Sequence, residues 1–138
     1  MIAVNPRLYR GSRPNVVDIG ILGYAEFDRI ICLEDNLKQI NKETGWCKDI
    51  DMDFVSIPMD EIKRPSPSTL RQIAYSLDKP IKTFIHCRRG IDRTGYAIAA
   101  YRILVCNWTF EEAISECKKY GHRVWFYFWW LKSLRELK

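Results

Sequence analysis

Short apolar runs alternate with longer polar or amphipathic stretches along most of this chain, the pattern of strands spaced by helices. Leu8-Tyr9-Arg10 reads as a short strand, closed by the turn residues Gly11, Ser12 and Pro14. Asn15, a capping residue, opens a helix that runs to Leu22 with Gly23 at its end. Phe27 to Leu33 is a strand, apolar enough from Arg29 to Leu33 for the centre of a sheet. Glu34 to Asp51 is polar, with a weak helical period at Leu37, Ile40 and Thr44 that stops near Gly45. Met52 to Ile57 is the next strand, Pro58 to Pro67 a loop by composition, and Ser68 to Leu77 a helix. Thr83-Phe84-Ile85 is a short buried strand and Gly95 to Val105 a buried, alanine-rich helix; the remainder is helical. One α/β domain spanning residues 1–138, built on a short central sheet, is expected.

The last segment departs from ordinary patterning. Trp125-Phe126-Tyr127-Phe128-Trp129-Trp130 is an unbroken aromatic run, which on a helix covers every face. Tyr127, Trp130, Leu131, Leu134 and Leu137 form a stripe at helical spacing and are expected to be the buried face. Trp125 and Trp129 lie off that stripe. Either they fill a groove on their own chain, or they form an exposed apolar patch for self-association.

Composition narrows the picture. A chain of 138 residues with 47% hydrophobic content fits one domain with a sizeable core. No charge-free apolar run reaches the length of a membrane helix, and the N-terminal residues lack a basic-then-apolar leader pattern, so a cytoplasmic protein is expected. Five cysteines without a Cys-x-x-Cys pair argue against a disulfide framework and a structural zinc site. Cys32, Cys106 and Cys117 sit among apolar residues and read as core filler, whereas Cys47 has no clear role. The net charge of +5 suits an anionic substrate without requiring one.

The chemistry concentrates in His86-Cys87-Arg88-Arg89-Gly90-Ile91-Asp92-Arg93-Thr94-Gly95, between the last strand and the buried helix. Backbone N–H groups of a tight turn that ends at a helix N-terminus make a cradle for a dianionic phosphate. The same field favours a thiolate, which makes Cys87 a candidate nucleophile. The planar fork of Arg93 can grip two phosphate oxygens. Gly90 and Gly95 let the backbone curl, and the Thr94 hydroxyl could bond the sulfur as it leaves. Arg88 and Arg89 are either substrate contacts or solvated charges at a pocket rim. His86 could donate into the loop backbone or toward the thiolate, or be a satisfied core histidine; His122 has only that structural reading.

This pattern, His-Cys and five residues followed by Arg-Thr-Gly, resembles the signature loop of cysteine-dependent protein tyrosine and dual-specificity phosphatases, in particular small bacterial dual-specificity members. Leu8 to Pro14 and Trp108 to Ala113 resemble the family's N-terminal strand and turn and the start of its penultimate helix. The resemblance implies a mixed sheet of four or five strands flanked by helices. It also implies phosphomonoester hydrolysis through a phosphocysteine on Cys87, with Arg93 and the loop amides of residues 88–93 (Arg88, Arg89, Gly90, Ile91, Asp92, Arg93) holding the phosphate, His86 and Thr94 supporting, and no metal or cofactor.

The family's general acid is an aspartate on a separate loop after an earlier strand, and Asp60 has that placement. Glu61 and Asp92 are alternatives, and so is a turn-capping role for Asp60. The expected substrate is a phosphorylated protein at a shallow dual-specificity site. A phosphoinositide or inositol phosphate is an alternative because Arg88 and Arg89 add positive charge, as is an RNA 5′-triphosphate end. Nucleic acid is not the expected partner, because aromatic and basic residues do not interleave on one face.

Overall fold

A computed structural model describes residues 1–124 and 127–138. The chain falls into two compact units, residues 1–59 with 80–90 and residues 60–79 with 91–138.

The first unit holds a five-stranded mixed sheet of β1 (Ile2–Asn5), β2 (Leu8–Gly11), β3 (Arg29–Cys32), β4 (Asp53–Ser56) and β5 (Thr83–His86), in the order β1-β2-β5-β3-β4. Only β1 runs antiparallel to its neighbour. All four residues of β3 and of β5 are buried, as at the centre of a parallel sheet, with the polar Arg29 and Thr83 hydrogen-bonded to each other. Gly11 and Cys32 both stand opposite His86, so β2, β3 and β5 end level with one another. Ligand sites of parallel sheets lie beyond such carboxyl ends.

Helix α1 (Val16–Tyr24) starts at Asn15, whose side chain accepts the Asp18 N–H while the Asp18 carboxylate accepts that of Asn15. It continues one residue past Gly23, and the left-handed residue that turns the chain is Glu26 at φ 63°. Helix α2 (Leu37–Asp49), capped by Asn36, runs straight through Gly45, where the sequence suggested a stop. Glu43 and Cys47, one turn apart, are both fully buried, and Trp46 packs on the core beside them. That packing outweighs the roughly 1 kcal/mol a mid-helix glycine costs. The helix ends instead before Asp51, at φ 54°. Ile19, Leu22, Phe27, Ile30, Cys47, Met52 and Phe84 form one apolar cluster uniting α1, α2 and the sheet.

The second unit is helical: α3 (Pro67–Leu77), α4 (Asp92–Leu104), α5 (Phe110–Lys119) and α6 (Leu131–Arg135). Ser66 caps α3, and Thr109 forms a reciprocal capping box with Glu112 at the start of α5. Nearly every residue of α4 is buried, including Asp92, Arg93 and Thr94, so this helix begins a turn earlier than its apolar pattern indicates. Tyr127, Trp130, Leu134 and Leu137 are buried, as the stripe requires, with Leu131 half-buried and the aromatic run broken by a 3-10 turn over Phe128–Trp130. Trp129 donates its Nε1–H to the Ile62 carbonyl at 3.0 Å, beside the same bond from Trp130 at 2.8 Å. Of the two alternatives for Trp129, packing on its own chain is the one observed; Trp125 lies outside the described residues. Among the described residues no helix is long and apolar enough to cross a membrane.

Candidate active site

Cys87 follows directly on β5 and is 3% exposed. The loop it opens is braced from β2. Arg10, on the same inward face as Leu8 and equally buried, donates Nη2–H to the Gly90 carbonyl at 3.0 Å. The Arg13 N–H is donated to the Arg88 carbonyl at 3.0 Å. Gly90 has φ +72°, and a Cβ there would sit 2.3 Å from the Gly11 carbonyl oxygen. Both the left-handed backbone and the close approach therefore demand glycine. Gly90→Ala is expected to lower stability by about 1–3 kcal/mol or more and to weaken oxyanion binding; an unchanged thermal midpoint would contradict the clash. The Arg88 and Arg89 side chains are exposed.

Behind Cys87 lies a buried polar cluster. The His86 ring donates Nδ1–H to the Cys87 carbonyl at 3.0 Å, an acceptor that fixes a proton on that nitrogen. Its Nε2 meets Glu43 Oε1 at 2.6 Å. Glu43 Oε2 accepts from Gln39 Nε2 at 2.9 Å. Glu34 is gripped by Arg13, whose Nε lies 2.9 Å from Oε2, and it stands 3.8 Å from His86 Nδ1. The Cys32 Sγ is 3.8 Å from Glu43 Oε2, and burial, followed by the Glu43 charge, pushes this thiol up. Cys32 is thus an inert thiol of the cluster rather than apolar filler, and Cys47 belongs to the apolar core.

Cys32, Glu34, Glu43 and His86 place their ligand-type atoms within 4.8 Å of one another. Two ligands of one zinc ion, bonded at about 2.0–2.2 Å in a tetrahedron, stand roughly 3.3 Å apart. The 2.6 Å contact between His86 and Glu43 is well short of that separation and is a hydrogen bond, with a proton between the two atoms.

In the second unit, Arg93 and Thr94 occupy the first turn of α4, 5% and 0% exposed. Among the described residues Thr94 Oγ1 has no hydrogen-bond partner. The Asp92 carboxylate is fully engaged by Arg123: Oδ2 pairs with Nη2 at 2.8 Å and Oδ1 accepts the backbone N–H at 3.2 Å. Burial acts to raise the Asp92 carboxyl, and these two bonds overcome it, leaving it below the usual range. His122 is buried against Tyr96, ring centroids 4.3 Å apart, which is the structural role its sequence context suggested.

Asp60 and Glu61 are both exposed. Asp60 Oδ1 accepts the N–H groups of Lys63 at 2.7 Å and Ile62 at 2.8 Å. Those bonds, Lys63 first, hold its carboxyl below the ordinary range, and the Arg93 charge acts in the same direction. Oδ2 remains for a proton.

Four members of these networks, Arg10, Arg13, Glu34 and Glu43, do not stand out in the sequence. The available signals are faint: Arg10 alternates inward with Leu8, and Glu43 shares a helical face with Cys47.

A family model described as the phosphatase domain of DSP-PTPase type, PTP-SAK or Swiss Army Knife, matches residues 3–123. The dual specificity protein phosphatase TpbA of Pseudomonas aeruginosa strain UCBPP-PA14 is 28% identical over 123 residues, covering 86% of this chain and 53% of the relative. Inositol diphosphatase DSP5 of Arabidopsis thaliana is 27% identical over 129 residues, covering 88% and 62%. The chain thus spans little more than half the length of these relatives. A mutant form of Tk-PTP superposes with a TM-score of 0.84 at 17% identity, covering 98% of this chain and 91% of that one. A variant of P. aeruginosa TpbA in complex with pTyr superposes at 0.72 with 19% identity, covering 96% and 78%. These structures share its fold. With the mixed five-stranded sheet, the cysteine at the end of its central strand and the arginine in the following helix, the match over residues 3–123 places this chain in the DSP-PTPase family of cysteine-dependent phosphatases.

Proposed function

We propose that the chain is a phosphomonoester hydrolase of the dual-specificity protein phosphatase type, working through a phosphocysteine intermediate. The observation that carries this reading is the connection from β5 to α4: Cys87 leaves a buried strand end, and Arg93 and Thr94 arrive in the first turn of a buried helix. Cys87 Sγ attacks phosphorus in line, the bond to the leaving oxygen breaks, and Asp60 gives that oxygen a proton. Asp60 then takes a proton from water, which attacks phosphorus and breaks the S–P bond, returning the thiolate. The N–H groups of residues 88–93, those of Gly90, Ile91 and Asp92 among them, and the Arg93 guanidinium bind the equatorial oxygens throughout. The Thr94 hydroxyl, without a hydrogen-bond partner among the described residues, bonds the departing sulfur, and His86 supports Cys87 from behind.

Asp60 is preferred to Asp92 as the acid because both oxygens of Asp92 are held by Arg123, whereas Asp60 keeps Oδ2. Asp60→Asn should slow an alkyl or peptidyl phosphate by about 10²–10⁴-fold and an activated aryl phosphate much less. An acid held below the ordinary range loses its proton early as pH rises, so kcat/KM falls with rising pH from an acidic optimum. That fall flattens in Asp60→Asn. Leaving-group dependence in Asp92→Asn or Glu61→Gln, and none in Asp60→Asn, would reassign the acid.

The substrate proposed is a phosphorylated protein, supported by the likeness to TpbA, which has been captured with pTyr. A second reading, an inositol phosphate, is favoured by one observation: Arg88 and Arg89 both expose cationic side chains beside the nucleophile, and an inositol diphosphatase is among the relatives. Phosphotyrosine and phosphoserine peptides compared with inositol polyphosphates by kcat/KM decide between them. Five free thiols suit a reducing compartment, and we place the enzyme in the cytoplasm.

A further inference from the structure

The polar cluster behind the nucleophile contains two carboxylates at 0% and 1% exposure. Isolated buried charges are costly, so the cluster must balance. Arg13 from the turn after β2 neutralises Glu34, which follows β3. Among the described residues the hydrogen-bond partners of Glu43, from α2, are neutral Gln39, the thiol of Cys32 and the His86 ring, with the Arg13 charge acting on it only at longer range. The balance closes when His86 carries a second proton, on Nε2, facing Glu43. Its Nδ1–H is already committed to the Cys87 carbonyl. Arg10, the buried cation of β2, is directed to the Gly90 carbonyl.

We propose that Glu43 is a positioning residue for the nucleophile, acting through His86. Its carboxylate fixes the ring with Nδ1–H on the Cys87 carbonyl and keeps it an imidazolium, one residue from the sulfur. A positive charge held there favours thiolate over thiol. In Glu43→Gln the side chain keeps its shape but loses its charge. Glu34 and Arg13 then balance without His86, the ring gives up its Nε2 proton, and the support for the thiolate goes with it.

This inference rests on Cys87 being the nucleophile, and its test needs no turnover. The rate of Cys87 alkylation by iodoacetamide is followed against pH. Glu43→Gln should move the midpoint up by about one pH unit, a roughly tenfold loss of rate on the acidic side. His86→Asn should raise the midpoint on its own, and adding Glu43→Gln to it should produce no further shift. An unchanged midpoint in Glu43→Gln, with only a lowered thermal midpoint, would make Glu43 a structural residue and overturn the proposal. So would an equal shift in the His86→Asn background.

Should Glu43→Gln fail to fold, the wild type decides. Of the two histidines in the chain, His86 is assigned by its loss in His86→Asn, and ¹⁵N-labelled rings at pH 7 should show both of its nitrogens protonated. A single protonated nitrogen overturns the proposal. A shifted midpoint in an enzyme that forms no phosphocysteine faults the catalytic reading alone; a phosphocysteine with an unshifted midpoint faults the role of Glu43 alone.

Discussion

Cys87→Ser should lose turnover by roughly 10⁴-fold or more while binding vanadate or tungstate within a few-fold of the wild type. Nucleophile and cradle are chemically separate. The sulfur forms the bond to phosphorus, whereas the oxyanion is held by backbone N–H groups and by Arg93, none of which the substitution touches. A serine hydroxyl lacks the acidity to ionise in that field, so the variant binds without reacting. The exchange replaces one small buried atom, and the braces from Arg10 to the Gly90 carbonyl and from the Arg13 N–H to the Arg88 carbonyl stay in place. A variant that keeps near wild-type turnover would mean another group attacks. One that loses oxyanion binding in parallel would mean the cradle depends on the thiolate.

Arg93→Lys should be nearly as damaging as Arg93→Ala, each lowering kcat by about 10²–10⁴-fold, with the lysine variant within about tenfold of the alanine one. Arg93 is 5% exposed in the first turn of a helix buried along most of its length, so its fork is held in one orientation. A guanidinium offers two parallel N–H bonds to a pair of phosphoryl oxygens; an ammonium is a point charge on a flexible stem and cannot reproduce that fork. Because the Arg93 charge also contributes to holding Asp60 ionised, Arg93→Ala should move the basic limb of the pH profile toward higher pH, whereas Arg93→Lys, which keeps the charge, should move it less. A lysine variant that keeps most of kcat would show that charge without geometry suffices.

What the sequence discloses follows the reach of its interactions. The central strands β3 and β5 read clearly because each carries adjacent apolar residues, Ile30-Ile31-Cys32 and Phe84-Ile85, that are buried on both faces. The loop reads clearly because its chemistry is compressed into adjacent residues. The helix cap at Asn15 acts over three residues and is equally visible, whereas Ser66, the cap of α3, lies in a stretch whose composition reads as loop. β1 is not, since Ile2 to Asn5 is an exposed edge whose strand character comes only from pairing with β2. The extent of α2 is hidden because Gly45 and the polar residues around it outweigh, in any local window, the buried pair of Glu43 and Cys47. The networks of Arg10 and Glu43 are least visible of all. Their partners lie 80 and 43 residues away, and a charged residue on a polar stretch looks solvated until the fold brings those partners to it.

The central claim is a covalent phosphoryl group on Cys87, and the most direct measurement is to trap it. Enzyme mixed with an aryl phosphate is quenched in denaturant within the first turnovers, digested, and the peptide carrying Cys87 is examined by mass spectrometry. The account predicts one added phosphoryl group on that peptide, enriched in Asp60→Asn, where hydrolysis of the intermediate is slowed, and absent from Cys87→Ser. Steady turnover with no adduct on Cys87 in either the wild type or Asp60→Asn, and none of the initial burst of released alcohol that its formation requires, would contradict it.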